Sequence, residues 1–267
     1  MKKGVFSILI VLALFLMSLY LFGKLSFSIV MSLFACLSLR EILNIRGRDR
    51  HAPIEVELLA YVIVVFFTMN NYNSILDFYF LDYRLLAALL LIDLIPLILV
   101  NDKKKYSLLD SLYLIGATLF IGITFNLIVQ FRSYNIDYVT YIFLIAFFTD
   151  LFGYITGRLI GTRRLCPSIS PKKTFEGAVG GTFMGTFVPT LFYLSVIPTA
   201  LPIYAIFMIT FLLSLLGQVG DLVFSFIKRE FGKKDFSNII MGNGGILDIV
   251  DSIIFIILGF ILFSTVL

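Results

Sequence analysis

Apolar runs, each closed by charged or turn-forming residues, recur along the whole chain. Nine such segments stand out, at 4–22, 25–43, 54–70, 84–100, 107–131, 138–157, 176–196, 200–227 and 246–266. A hydrocarbon layer about 30 Å thick is crossed by a helix of about 20 apolar residues, which bonds its own backbone polar groups internally. The pattern therefore predicts an all-α fold: a polytopic integral membrane protein of about nine transmembrane helices. The first segment follows Met1, Lys2 and Lys3, as a signal peptide would. Its apolar run is long for that role and no small-x-small cleavage site follows, so it is read as a span.

Composition agrees with this pattern. Of 267 residues, 60% are hydrophobic and 14% charged, and the mean hydropathy is +1.01. Soluble domains carry about 25% charged residues, so an ordinary soluble domain is excluded, as are disorder, collagen-like repeats and a disulfide-stapled scaffold. Cys36 and Cys166 are too far apart in the sequence to suggest a zinc spacing. His51 is the single histidine and adjoins Arg46, Arg48 and Arg50. Ser–His–Asp catalysis and polyhistidine metal sites are therefore poorly supported.

Charge sorts the spans. With the N-terminus cytoplasmic and the C-terminus outside, 18 of the 21 Lys and Arg residues fall on the cytoplasmic side, leaving only Lys24, Arg84 and Arg132 outside. That asymmetry is the positive-inside rule, and the net charge of +4 reads as orientation, with no nucleic-acid partner implied. The chain divides into N-terminal transmembrane helices at 1–131 and a C-terminal catalytic region at 132–267, with cytoplasmic loops at 158–175 and 228–245.

Acids at membrane depth are costly unless paired, hydrated or metal-bound, so they mark candidate function. Asp93 lies within the fourth segment near Pro96, where a polar contact inside the bundle explains it at least as well as function. Asp110 suits a helix N-terminus electrostatically. The C-terminal acids form a denser group. Asp221, Ser225 and Lys228 are spaced four and three apart at a helix end and share one face. Lys234-Asp235 and Gly242-Asn243-Gly244-Gly245 follow, and the next helix opens with Asp248 and Asp251, three apart. Three carboxylates brought together repel one another unless a hard cation such as Mg²⁺ takes their oxygens.

A second group is Ser168-Ile-Ser170-Pro171-Lys172-Lys173-Thr174-Phe-Glu176-Gly177, entering the seventh segment. Two lysines, hydroxyls and a helix start make an anion cradle, and a capped positive-inside flank is the plainer reading. Gly157, Gly161, Gly177, Gly180, Gly181 and Gly185 are assigned to close helix packing before catalysis. Cations and carboxylates at a cytoplasmic membrane face suit transfer of a phosphorus group between a nucleotide and a lipid headgroup. An acceptor that is already a phosphate is anionic and needs no general base.

Gly220-Asp221, Ser225, Lys228-Arg229, Lys234-Asp235, Gly242-x-Gly244-Gly245, Asp248 and Asp251 resemble the signature of phosphatidate cytidylyltransferases (CDP-diacylglycerol synthases). That signature runs Ser-x-x-Lys-Arg, Lys-Asp, Pro-Gly-His-Gly-Gly, then Asp-Arg-x-Asp. Asp150-x-x-x-Tyr154-x-x-Gly157 and Ser170-Pro171-x-Lys173-Thr174-x-Glu176-Gly177 resemble the family's upstream motifs in the same order. Motif similarity covers about 146–257; the first half resembles the family mainly in length and multi-span character. The resemblance implies that CTP and phosphatidic acid give CDP-diacylglycerol and pyrophosphate with Mg²⁺, on a homodimer in the cell membrane with its site facing the cytoplasm.

Carried over by residue, the resemblance implies catalytic roles for Asp221, Asp248 and Lys228. It implies a metal centre of Asp221, Asp248 and Asp251, with a second metal ion left open. Ser170, Lys173 and Thr174 would hold phosphates beside Lys172, while Asp150 and Glu176 would shape the cavity. Ser225, Arg229, Lys234, Asp235 and Asn243 would line the substrate path. Met241, Asn243 and Ile249 replace the family's proline, histidine and arginine, and Phe224 stands where many members have an acid. Other readings are a CTP-dependent transferase acting on another lipid phosphate or a polyprenol, a weakened homologue or non-catalytic scaffold, and an ion-coupled transporter. Against the transporter, the acids concentrate at cytoplasmic helix ends and no inverted repeat is evident.

Overall fold

The computed structural model describes residues 13, 15–21, 23–47, 52–69, 83–99, 106–239 and 244–263. Backbone in an apolar setting bonds to itself, and helix makes up 80% of the structure. Helices α1 (Lys24–Asn44), α2 (Ile54–Met69), α3 (Tyr83–Leu94), α4 (Pro96–Leu99) and α5 (Leu108–Tyr134) precede α6 (Ile136–Ile160). Strands β1 (Arg164–Cys166) and β2 (Ser170–Thr174) then lead into α7 (Phe175–Val196), α8 (Ile203–Glu230) and α9 (Leu247–Phe263).

Among the described residues, α1, α5, α6, α7 and α8 are long and apolar enough to cross a membrane. Their ends fall within three residues of the expected segments. The segments at 54–70, 84–100 and 246–266 form shorter helices of 16, 12 plus 4, and 17 residues. Pro96 has no N–H to continue the ladder, and the chain turns at Ile95 between α3 and α4. Most of the 4–22 segment lies outside the described residues, as do His51, Lys103, Lys104, Lys105 and Asn243.

The all-α expectation needs one amendment. The 158–175 region is not a plain loop: α6 runs on to Ile160, and β1 and β2 pair antiparallel. Arg164 faces Thr174 and Cys166 faces Ser170, with an irregularity between Arg164 and Cys166. Strands of three and five residues carrying Arg and Lys have too little apolar alternation to show in sequence.

The chain forms two compact units, one of Met1–Tyr134 with Asp235–Asp248, the other of Asn135–Lys234 with Ile249–Leu267. In the first, α1 buries a stripe of Phe27, Met31, Ala35, Leu39 and Ile42, spaced by three or four residues as one helix face. Asp110 caps α5, taking hydrogen bonds from Ser107 N at 3.0 Å and Ser107 Oγ at 2.6 Å. It also pairs with Arg46 at 2.6 Å, so its role is the helix-terminus one. Asp93 is fully buried; its main-chain carbonyl accepts from Tyr106 Oη and Ser111 Oγ. Among the described residues neither of its carboxylate oxygens has a hydrogen-bond partner, so the expected polar contact of the acid itself is not seen.

The second unit is built on glycine. Gly153 and Gly157 on α6 meet Gly177 and Gly181 on α7, each pair at four-residue spacing, while Gly161 just past α6 lies against Thr174 and Gly185 lies against Thr149. A Cβ on Gly177 would lie 2.7 Å from Gly153 O, and one on Gly181 3.1 Å from Gly153 Cα. The backbones therefore touch, as small-residue seams allow. The outward face of α7 is apolar: Phe183, Phe187 and Leu191 are 64%, 47% and 52% exposed at four-residue spacing, a surface suited to lipid tails. Against α8, α9 sets Ile256 over Gly217 and Phe255 over Gly220.

Candidate active site

Thr174 closes the hairpin and starts α7, its hydroxyl accepting from Gly177 N at 3.1 Å. Gly157 and Gly161 make room for it: a Cβ on either would meet Thr174 Oγ1, at 2.9 and 2.6 Å. Helix α8 ends where Gly232, at φ +64, turns the chain and Lys233 N donates to Lys228 O at 2.8 Å. Arg229 Nε donates to Ile169 O at 3.3 Å and its Nη1 to Lys233 O at 2.9 Å. The basic end of α8 and the basic hairpin thus lie at one end of the second unit.

There a cavity of about 540 Å³ opens between α6, α7, α8 and the hairpin. Asp150, Lys172, Lys173, Thr174 and Asp221 line it, five residues expected of the site from sequence. Lys173 Nζ forms an ion pair with Asp221 Oδ2, and Ser225 Oγ donates to Asp221 Oδ1 at 3.3 Å. Asp150 feels the charges of Asp221 and Lys173. Asp251 feels those of Asp221, Asp150 and Lys228. Three carboxylates and two ammonium groups therefore share one neighbourhood, with Lys228 and Asp251 buried.

Other expected site residues have different surroundings. Glu176 does not line the cavity; it accepts from Thr162 Oγ1 at 2.7 Å, Thr162 N at 3.1 Å and Arg163 N at 3.2 Å. It fastens the hairpin entrance to the first turn of α7. Ser170 pairs opposite Cys166 in the hairpin, and Arg229 is engaged with main-chain carbonyls. Lys234 is exposed at the end of α8's turn. Asp235 opens the segment that groups with the first unit.

In that unit, Asp248 Oδ2 accepts from Phe236 N at 2.9 Å and Gly245 N at 2.8 Å. A metal site must be weighed against these partners. Among the described residues no group of three or more His, Cys, Asp or Glu is preformed as a metal cluster. Mg²⁺ is commonly held by one or two carboxylates plus substrate phosphates. Asp221 and Asp251 are carboxylates of that kind in the second unit whose charges bear on each other, so their oxygen donors suit such an ion.

The comparisons with known proteins agree with this chemistry. A family model described as the cytidylyltransferase family matches residues 2–267. The chain belongs to that family. It is 33% identical over 257 residues to a phosphatidate cytidylyltransferase of Staphylococcus saprophyticus, covering 96% of each chain. Phosphatidate cytidylyltransferases of Staphylococcus haemolyticus and Staphylococcus aureus are 40% and 39% identical over 158 residues, 59% of this chain and 60% of theirs.

For a cytidylyltransferase, the cavity holds more than the motifs mark. Arg158, Arg164 and Gln218 also line it. In sequence the arginines count only as orienting charge; their link to the site comes from the hairpin folding over α6. Gln218 precedes Asp221 by three residues, so the same helix face carries both. Glu41 was also missed, although an acid inside the 25–43 run meets the rule that singled out Asp93. It is 1% exposed and accepts from Ile246 N, Leu247 N and Ser237 Oγ at 2.9, 2.9 and 2.8 Å.

Proposed function

We propose that this chain is a phosphatidate cytidylyltransferase. A phosphate oxygen of phosphatidate attacks the α-phosphorus of CTP, the bond to the β-phosphate breaks, and CDP-diacylglycerol and pyrophosphate result. The observation that carries the reading is the cavity itself: Lys172, Lys173, Arg158 and Arg164 line a space whose wall bears Asp150 and Asp221. Cations so placed offset a triphosphate's charge before the reaction, and need no rearrangement as charge moves to the leaving pyrophosphate. The attacking oxygen is already anionic, so the reaction needs no histidine base.

Mg²⁺, held by Asp221 and Asp251 with Asp248 on the same helix as Asp251, would supply further neutralisation of the phosphate charge. Lys173 orients the Asp221 carboxylate through their ion pair. Ser225 supports the same carboxylate from one turn along α8. Thr174, spent on capping α7, fixes where Lys173 stands.

The nine-span count and the N-in, C-out orientation belong to the same proposal, supported by the distribution of Lys and Arg; so does the homodimer that the resemblance implies. The deciding experiment supplies purified protein in phosphatidic acid vesicles with labelled CTP and Mg²⁺. CDP-diacylglycerol and pyrophosphate are the expected products, and folded protein that forms neither overturns the reading. Competition by other lipid phosphates and polyprenyl phosphate in the same assay defines the acceptor.

A further inference from the structure

Gln218 sits on the cavity wall, and its amide is fixed in one orientation. Its Nε2 donates to Ala178 O at 3.1 Å and to Thr182 Oγ1 at 2.7 Å. Thr182 Oγ1 in turn donates its only proton to Ala178 O at 2.9 Å. Both neighbours thus offer lone pairs alone, and only the NH₂ side of the amide can face them. Its two N–H groups are spent there, and the carbonyl Oε1 is left as a positioned acceptor.

Position along α8 says what such an acceptor can read. The C-terminal end of α8 touches the basic hairpin through Arg229 and Ile169. Asp221, paired with Lys173, comes next toward the helix interior, and Gln218 lies one turn beyond it. A nucleotide with its phosphates against the hairpin cations would carry its base toward Gln218. The cavity wall there includes Gly153, Gly177 and Ala178, whose small side chains leave a smooth surface for a planar ring.

Cytosine presents an amino donor at C4, whereas uracil presents a carbonyl acceptor. We propose that Gln218 Oε1 accepts a hydrogen bond from the cytosine 4-amino group and so sets the enzyme's choice of cytidine over uridine nucleotides. Uracil would set two acceptors against each other, and the locked amide cannot turn to offer a donor. This assignment rests on the cytidylyl-transfer reading of the same cavity.

The test measures kcat/KM for CTP, UTP and dCTP with the full-length enzyme in phosphatidic acid vesicles. Wild type is expected to prefer CTP to UTP, and Gln218→Leu to lower that ratio about tenfold, the worth of one neutral hydrogen bond. Thr182→Val keeps the volume but removes one anchor of the amide, and is expected to lower the ratio by a smaller factor. It decides the matter if Gln218→Leu does not fold. Wild type that is active but indifferent between CTP and UTP overturns the inference, as does an unchanged ratio in the folded variants. A changed CTP to dCTP ratio with an unchanged CTP to UTP ratio assigns Oε1 to the ribose and also overturns it. Wild type with no CTP-dependent product removes the cytidylyltransferase reading, and this inference with it.

Discussion

Glu41→Gln alters a single polar atom at a place where three donors converge. Glu41 Oε1 accepts from Ile246 N and Ser237 Oγ, while Oε2 accepts from Leu247 N, the first residue of α9. These are N–H groups at a helix start that have no partner within the helix, and an acceptor-only carboxylate matches them. Gly245 completes the fit, since a Cβ there would run into the Glu41 carboxylate. In the variant the amide nitrogen takes the less occupied side, facing Leu247 N, and one buried donor loses its acceptor. That costs about 1–3 kcal/mol, or a fall in Tm on the order of 5 °C for a chain of this size.

Glu41→Ala removes all three acceptor contacts. Ser237 is half-buried and can turn to water, whereas Ile246 and Leu247 are buried. Two orphaned N–H groups, offset by relief of the buried charge and of its repulsion with Asp248, leave a net loss of about 2–4 kcal/mol. The chain has no tryptophan, so melting in detergent is best followed by circular dichroism or by a thiol-reactive dye reporting on Cys36, half-buried on the same helix. The expected order of Tm is wild type, Glu41→Gln, Glu41→Ala. A Glu41→Gln protein that melts at or above wild type would refute the clamp.

Three further outcomes follow from the second unit and the membrane helices. Gly181→Ala forces a Cβ against the α6 backbone and should destabilise by about 1–3 kcal/mol; Gly116→Ala, with open space around it, should be neutral or slightly stabilising. Equal melting of the two would contradict the glycine seam. Glu176→Ala cuts the ties to Thr162 and Arg163, so trypsin should cleave at Arg163 or Arg164 well before it cleaves wild type; matching digestion time courses would count against the fastening role. Lys173→Met leaves Asp221 without its ion-pair partner and should raise the KM for CTP by roughly 10- to 100-fold, the range of a charge-assisted hydrogen bond. An unchanged KM would remove Lys173 from the phosphate site.

The helices were legible because each is a local property. Segments such as 176–196 and 200–227 are apolar enough to bury themselves, and α7 and α8 follow within a few residues. The same scarcity of charge made Asp150, Lys173 and Asp221 conspicuous, and all three line one cavity. Composition and motif order therefore determined by themselves that this is a helical membrane protein, which residues carry charge at its helix ends, and the family they resemble. Pairing was another matter. That Lys173 meets Asp221, that Glu176 turns away to Thr162 and Arg163, that the Gln218 amide N–H groups bond Ala178 and Thr182 and that Glu41 holds the start of α9 depended on the tertiary structure. Hydropathy is summed along the chain, but the partner of a buried charge is set by helix rotation and closeness of approach. Here the glycine contacts between α6 and α7 and the register of a hairpin too short to read in sequence decided both.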